Sequence, residues 1–282
     1  MSTGDDQTIE NSCQPLGEKP VTEVPIIGVA IPAHNAAKFL GRALQSVAAQ
    51  QHLPTHIVVV DDGSTDSTHE IVEAFAAELA IQHQQISPIL GANASSTKEP
   101  TEIRDVRCIR TLNAGAGAAR NLAVAHLNTK LIAFLDADDE WHPQWLKHIA
   151  RQSTRTKEDL MFGTLTNQVQ PNLIASDYRC PPQTDAPQTS CSVVRRSAFT
   201  RFGVFADDSY SWVTWLARAR IQGLTEVRLH NNNGEHVGAG TRWITGENIT
   251  LRQDASSHYL QTVRTLINYR RTTSNPIPQQ NS

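Results

Sequence analysis

Residues 130–139 read KLIAFLDADD, and this stretch decides how the chain is understood. Leu131, Ile132, Ala133, Phe134 and Leu135 follow one another without a polar break, as in a strand buried on both faces of a parallel sheet. Asp136, Asp138 and Asp139 stand at its carboxyl end. Read as a strand as far as Asp139, the run points Asp136 and Asp138 the same way, and a following turn brings both carboxylates toward a hard cation such as Mg2+ or Mn2+. The competing explanation is a strand-to-helix turn with Asp138 or Asp139 as a cap ahead of Pro143. A cap accounts for one aspartate, and packed like charges cost free energy unless a cation neutralises them.

Working outward, the same alternation recurs on the amino-terminal side. IIGVAIP (26–32), HIVVVDD (56–62) and VRCIR (106–110) are short, apolar and rich in β-branched residues. Between the first two, Phe39, Leu40, Ala43, Leu44 and Val47 recur at helical spacing; after the second, STDSTHEIVEAFAAELA opens with a Ser or Thr cap and an acidic turn. GAGAARNLAVAHL predicts a third helix, and residues 82–105, rich in Gly, Ser, Pro and Gln, a surface loop or insertion. A βαβαβαβ succession implies an α/β fold with a doubly wound, mostly parallel sheet whose ligands sit at the carboxyl ends of the strands. The polar clusters 32–35, 61–66, 113–121 and 136–139 all fall at such ends.

In DDGSTD (61–66), Gly63 suits a turn and Ser64 or Asp66 a cap, which leaves Asp61 and Asp62 free to accept hydrogen bonds from a base N–H or ribose hydroxyls. LNAGAGAARN nearly spells a dinucleotide fingerprint, but Arg120 replaces the third glycine and the segment follows the third strand rather than the first. It reads better as a turn into a helix N-terminus that offers backbone N–H groups, with Arg120 near a diphosphate and Asn113 or Asn121 fixing neighbours. Beyond Trp141 the pattern changes to mixed α and β: a helix from about Gln144, a strand FGTLTNQVQ (162–170), a Pro-rich stretch and a helix in YSWVTWLARARIQG. These elements are expected to extend the same sheet and roof the site. Trp141, Trp145, Trp212 and Trp215 are candidates for stacking on a sugar or for core packing, core being preferred for Trp215. The basic group Arg195, Arg196 and Arg201 reads as a solvated or diphosphate-facing surface.

Composition narrows the classes. With 25 Lys+Arg against 28 Asp+Glu, a formal charge of −3 gives no basic excess for nucleic acid. The longest apolar run falls far short of the roughly 20 residues that span a bilayer, and the polar, acidic first residues are unlike a signal peptide. Cys13, Cys108, Cys180 and Cys191 form no Cys-x-x-Cys pair, which suits a reducing cytoplasm, possible contact with the inner membrane face included.

These motifs together resemble the inverting glycosyltransferases of family 2, which have the GT-A fold. The resemblance rests on IPAHN, VVVDDGSTD, N-x-G-x-x-x-A-R-N and FLDADD over 25–139. It continues more weakly through SVVRRSAFTRFGVF, WVTWLARARIQG and RWITGENIT to about residue 250. It implies that Pro32, Asn35, Asp61 and Asp62 line a base and ribose pocket, that Asn113, Arg120 and Asn121 support the donor, that Asp136 sits by the ribose, and that Asp138 holds Mn2+ or Mg2+ against a diphosphate. The implied donor is a nucleotide sugar, UDP-linked by preference; the acceptor is left open among glycan, peptide and small molecule. One domain over 25–250 is expected, with a nucleotide-sugar half (25–140) and an acceptor half (141–250), between a disordered tail (1–24) and a terminal helix and tail (251–282).

The chain departs from that family where the base is expected. An acidic pair usually opens the W-x-x-W-L helix, and here the slots hold Tyr210 and Ser211, with Asp207 and Asp208 just before. Asp208 is the preferred base, with Asp207, Tyr210, His230 and His236 as alternatives. A nucleotide-sugar-binding protein with impaired catalysis is the competing function. Arg242-Trp-Ile stands where many relatives have Arg-x-His, so a third protein ligand for the cation is missing from the pattern.

Overall fold

The computed structural model describes residues 25–90, 102–169, 183–184, 186–208, 210–231 and 233–244. The two tails and the middle of the Pro-rich stretch lie outside the described residues. The four anticipated strands form as β1 (Ile27–Ala33), β2 (His56–Asp62), β3 (Asp105–Thr111) and β4 (Leu131–Phe134), joined by helices α1 (Leu40–Ala48), α2 (Thr68–Leu90) and α3 (Ala116–His126). β1 pairs in parallel with β2 on one side and β4 on the other, and β3 pairs in parallel with β2. The chain therefore winds outward from β1 to β3 and then returns to β1's other edge, which makes the β1–β4 junction a topological switch point.

The buried strands owe their form to two cores. Ile27, Val29 and Ile31 face one of them together with Leu40, Leu44 and Val47 of α1. Ala30, Val58, Val60, Ile132 and Phe134 face the other, beneath Ala119 and Ala123 of α3. Burying each large aliphatic side chain contributes roughly 1.5–3 kcal/mol before chain entropy is subtracted. Phe134 lies edge-on to Phe205, ring centres 5.5 Å apart, and Trp212 stacks on Trp215 at 5.7 Å.

The carboxyl-terminal third does extend the sheet, but it also builds a second one. β6 (Leu160–Phe162), β9 (Ser192–Arg195) and β10 (Glu226–Arg228) complete a seven-stranded sheet in the order β10-β6-β9-β4-β1-β2-β3, with β9 antiparallel to both β4 and β6. β5 (Glu140–Trp141), β7 (Thr164–Val169), β8 (Gln183–Thr184) and β11 (Gly238–Ile244) make a separate four-stranded sheet, in the order β5-β11-β7-β8. Helices α4 (Trp145–Ser153), α5 (Arg196–Phe202) and α6 (Ser211–Ile221) complete the set.

Several expectations are corrected here. The single strand anticipated at 162–170 is two strands in different sheets, parting at Gly163, where a Cβ would fall 2.7 Å from the Val237 carbonyl oxygen and 2.8 Å from the Trp145 ring. α2 runs on to Leu90 instead of ending in a loop at Gln82, because glutamines sustain a helix as well as most residues do. β4 stops at Phe134, and a turn closed by Asp139 N–H to Asp136 O at 3.0 Å takes up the aspartates. Trp141, Trp145, Trp212 and Trp215 are all buried, which removes them as stacking surfaces. Arg195 donates to the carbonyls of Ser153, Glu158 and Thr156, Arg196 to those of Val124 and Leu127, and Arg201 to Asp159. These arginines knit the fold and none of them lines the cavity at the strand ends, while Arg201 is exposed, in keeping with a solvated surface.

Candidate active site

A cavity of about 260 Å3 opens at the switch point. The end of β1 gives it Pro32 to Ala36 with Phe39, β2 gives Asp62, the first turns of α3 give Ala116, Ala119 and Arg120, and the turn after β4 gives Asp136, Ala137 and Asp138. Six of the anticipated residues (Pro32, Asn35, Asp62, Arg120, Asp136 and Asp138) thus meet around one space.

Each wall is held by local chemistry. Asn35 adopts a left-handed backbone, φ 48°, that its short polar side chain tolerates. Its amide N–H donates to Ser64 Oγ at 2.9 Å and its Oδ1 accepts from Thr65 N at 2.9 Å, so the β1 and β2 ends are laced together. His34 Nδ1 lies 2.7 Å from the Asp62 carbonyl oxygen and must donate to it, which leaves Nε2 to accept from Asn35 Nδ2 at 3.2 Å. Asp62 in turn accepts from Thr111 Oγ1 and from the amides of Ala114 and Gly115, both at 2.7 Å. Burial works to raise the Asp62 carboxyl's pKa, but these three donors outweigh it and hold the group below the usual carboxylate range.

The aspartates after β4 are divided among different partners, which corrects the expectation that they crowd one another uncompensated, while Asp136 and Asp138 both line the cavity. Arg120 is buried and donates from Nη2 to Asp136 Oδ1 and from Nη1 to Ser211 Oγ, each at 2.9 Å. Thr189 Oγ1 donates to the other Asp136 oxygen. Burial tends to raise the Asp136 pKa, yet Arg120, and then Thr189, keep it lowered. Asp139 is fully buried, accepting from Trp243 N at 3.1 Å with Arg242 Nε 3.9 Å away. The like-charge cost is therefore met largely by arginines. Asp138, half-buried, lines the same cavity.

Other anticipated residues stand away from the cavity lining. Asp61 is buried, accepting from Ser64 N at 3.0 Å with Arg110 Nε at 3.2 Å. Asp66 ties the start of α2, accepting from Thr68 N, to the β1 end through Ala37 N, both at 3.0 Å, the capping part anticipated for it. Asn113 is an exposed left-handed turn residue, φ 50°. Asn121 makes a two-way bond with the Phe205 backbone, at 3.0 and 2.9 Å. That bond pins the loop bearing Asp207 and Asp208 to α3. Gly115 takes φ 92°, and a Cβ on Gly117 would sit 2.2 Å from the Ala206 carbonyl oxygen, so the two glycines serve a turn and a close helix–loop approach. Asp207 Oδ1 would lie 3.3 Å from a Cβ on Gly115, beside the α3 N-terminus, whereas Asp208 Oδ1 accepts from Tyr210 N at 2.8 Å at the head of α6.

Thr189, Ser190 and Ser211 were not singled out as site residues by sequence; their partners lie 53 to 91 positions away, beyond any local pattern. Among the described residues no group of three or more His, Cys, Asp or Glu side chains gathers as a self-sufficient metal cage. A hard cation bound by one carboxylate and a ligand's phosphates fits this donor set; a closed structural site does not. Among the same residues no helix is long and apolar enough to cross a membrane.

Comparison with known proteins places these features. The model described as "Glycosyl transferase family 2" matches residues 28–199. An uncharacterized glycosyltransferase of Nostoc sp. is 35% identical over 123 residues, a match spanning 44% of this chain and 31% of that relative's length. The mannosyltransferase PcManGT from Pyrobaculum calidifontis, in complex with GDP-Man and Mn2+, superposes with TM-score 0.56 at 16% identity, covering 91% of this chain and 67% of the other. TarS 1-349 of S. aureus, in complex with UDP-GlcNAc, gives 0.51 at 19% identity, covering 80% and 60%. At those identities the structural likeness is one of fold.

Proposed function

Because the chain belongs to glycosyl transferase family 2 and has the GT-A fold, we propose that it transfers a sugar from a nucleotide-sugar donor, UDP-linked by preference, to an acceptor with inversion. The observation that carries this reading is the cavity at the β1–β4 switch point, where Asp62, Arg120, Asp136 and Asp138 converge. The names of PcManGT with GDP-Man and TarS with UDP-GlcNAc lend the donor class support.

Pro32, His34, Asn35 and Asp62 form the base and ribose side. Arg120 stands at the diphosphate, with Asp136 beside the ribose and setting the guanidinium's orientation. Asp61, Asn113 and Asn121 act indirectly, by shaping the turns that these groups occupy. Asp138, with the donor's phosphates, would hold Mn2+ or Mg2+. When bound, such a cation neutralises charge on the leaving diphosphate.

The remaining task is removal of the acceptor's proton, which falls to Asp208 with Asp207 as the neighbour able to replace it. Asp208→Asn keeps the Oδ1 that accepts from Tyr210 N, so it isolates charge from structure. Transfer in this variant is expected to slow by about 10²–10⁴-fold with UDP binding unchanged; a variant as fast as wild type moves the base to Asp207, Tyr210, His230 or His236. A second reading, donor binding without turnover, is favoured by one observation: the helix head that relatives make acidic holds Ser211, bonded to Arg120. Incubation with Mn2+ and a panel of UDP-sugars separates the two, since binding without hydrolysis or transfer supports the second. The free thiols of Cys108 and Cys191 fit a cytoplasmic setting, at the inner membrane face or away from it.

A further inference from the structure

A second cavity, of about 310 Å3, lies between α4 and the hairpin that joins β10 to β11. α4 turns Trp145, Leu146, Ile149 and Ala150 into the core, where Leu229 and Val237 of the hairpin meet them. The neighbouring stripe, His148, Arg151, Gln152 and Arg155, repeats at helical spacing and faces the cavity opposite His230 and Asn231. Arg151 alone is accounted for as a cation near a helix C-terminus; Arg155 lies beyond the helix and His230 comes from another element.

The arginines stand out by what they do not meet. Arg107, Arg110, Arg201 and Arg220 each pair with a carboxylate, whereas among the described residues neither Arg151 nor Arg155 makes an ion pair. Glu235, the acid on the hairpin, is engaged by Asn231 Nδ2 at 2.8 Å. The local field is correspondingly positive: burial first, then His142, Lys147 and Arg151, push the His148 pKa down. Two guanidiniums, two imidazoles and three carboxamides around a concave space of this size are a donor set that suits a tetrahedral oxyanion.

We propose that this cavity is a binding site for a phosphate group, separate from the donor cavity and held by Arg151, Arg155, His148 and His230. The group comes either free or as an ester on a larger molecule. The site does not depend on the sugar-transfer reading.

The test is calorimetric titration of the full chain with inorganic phosphate at constant ionic strength. Saturable binding is expected in wild type, weakened about tenfold or more in Arg151→Gln/Arg155→Gln. Both arginines are exposed, so the variant should keep its fold; Arg155→Gln alone, beyond the helix, should lose part of the affinity and serves if the double variant unfolds. Persistence of the binding with UDP and Mn2+ at saturation supports the site. Displacement by UDP, equal affinity in the variants, or no saturable binding overturns it, and none of these bears on whether UDP itself binds. Glycerol 3-phosphate separates the sources: binding as tight as phosphate points to an ester, and binding of inorganic phosphate alone points to the free anion.

Discussion

The ends of β2 and β4 carry the same chemistry, three aspartates each, and use it differently. After β2, Asp61, Asp62 and Asp66 accept hydrogen bonds from backbone amides at Ser64, Ala114, Gly115, Ala37 and Thr68. These carboxylates replace hydrogen bonds that the turns cannot make for themselves, and Asp62 lines the cavity as well. After β4, Asp136 and Asp139 lie beside Arg120 and Arg242, and Asp138 borders the cavity. An acidic cluster at a strand end is therefore not one kind of object: its members take different partners, and Asp62 and Asp136 hold the fold and line the cavity at once.

The comparison breaks first, and most visibly, at Asp62. Asp62→Ala leaves the Thr111 hydroxyl and the amides of Ala114 and Gly115 without their acceptor, and is expected to cost about 2–4 kcal/mol of stability. Urea unfolding checks this; a loss below about 0.5 kcal/mol would mean that the turn into α3 holds itself. Asp138→Asn is the converse. The substitution keeps the side chain's shape and one carbonyl oxygen while removing its charge, so it should cost less stability than Asp62→Ala, while Mn2+-dependent UDP affinity falls at least about tenfold. Unchanged affinity would remove Asp138 from the proposed cation site.

The smallest effect is a matter of pH. The folded Asp62 pKa is lowered, so the folded state takes up the proton less readily than the unfolded chain. Its contribution is complete above about pH 4 and disappears as pH falls through the lower folded value. Asp62→Asn should flatten that acid limb of the stability profile; a limb as steep as wild type assigns acid sensitivity to other carboxylates.

Much of this was legible in sequence, and the illegible part has a common cause. His56–Asp62 forms a strand with the boundaries read from its β-branched run, because a strand buried on both faces writes its limits in apolar residues. The family's motifs gave the cavity its members for the same reason: each lies at the end of such a strand. What sequence could not supply were partners at long separation. Arg120 is 16 residues from Asp136, and Trp243 is 104 from Asp139, so the aspartates after β4 looked more crowded than they are. Similarly, nothing local announces that 160–169 splits between two sheets, since Gly163 owes its identity to Val237 and Trp145 from elsewhere in the fold.

The contact between Gly117 and the Ala206 carbonyl carries a mechanical consequence. The loop bearing Asp207 and Asp208 rests on the backbone of α3 with only a hydrogen atom's width between them, and Asn121 clamps the same loop at Phe205. Helix and loop are thereby held in fixed register with each other. In the proposed reaction, the spacing between Arg120 at the donor and the acidic loop that would take the proton is set by the packing of one glycine.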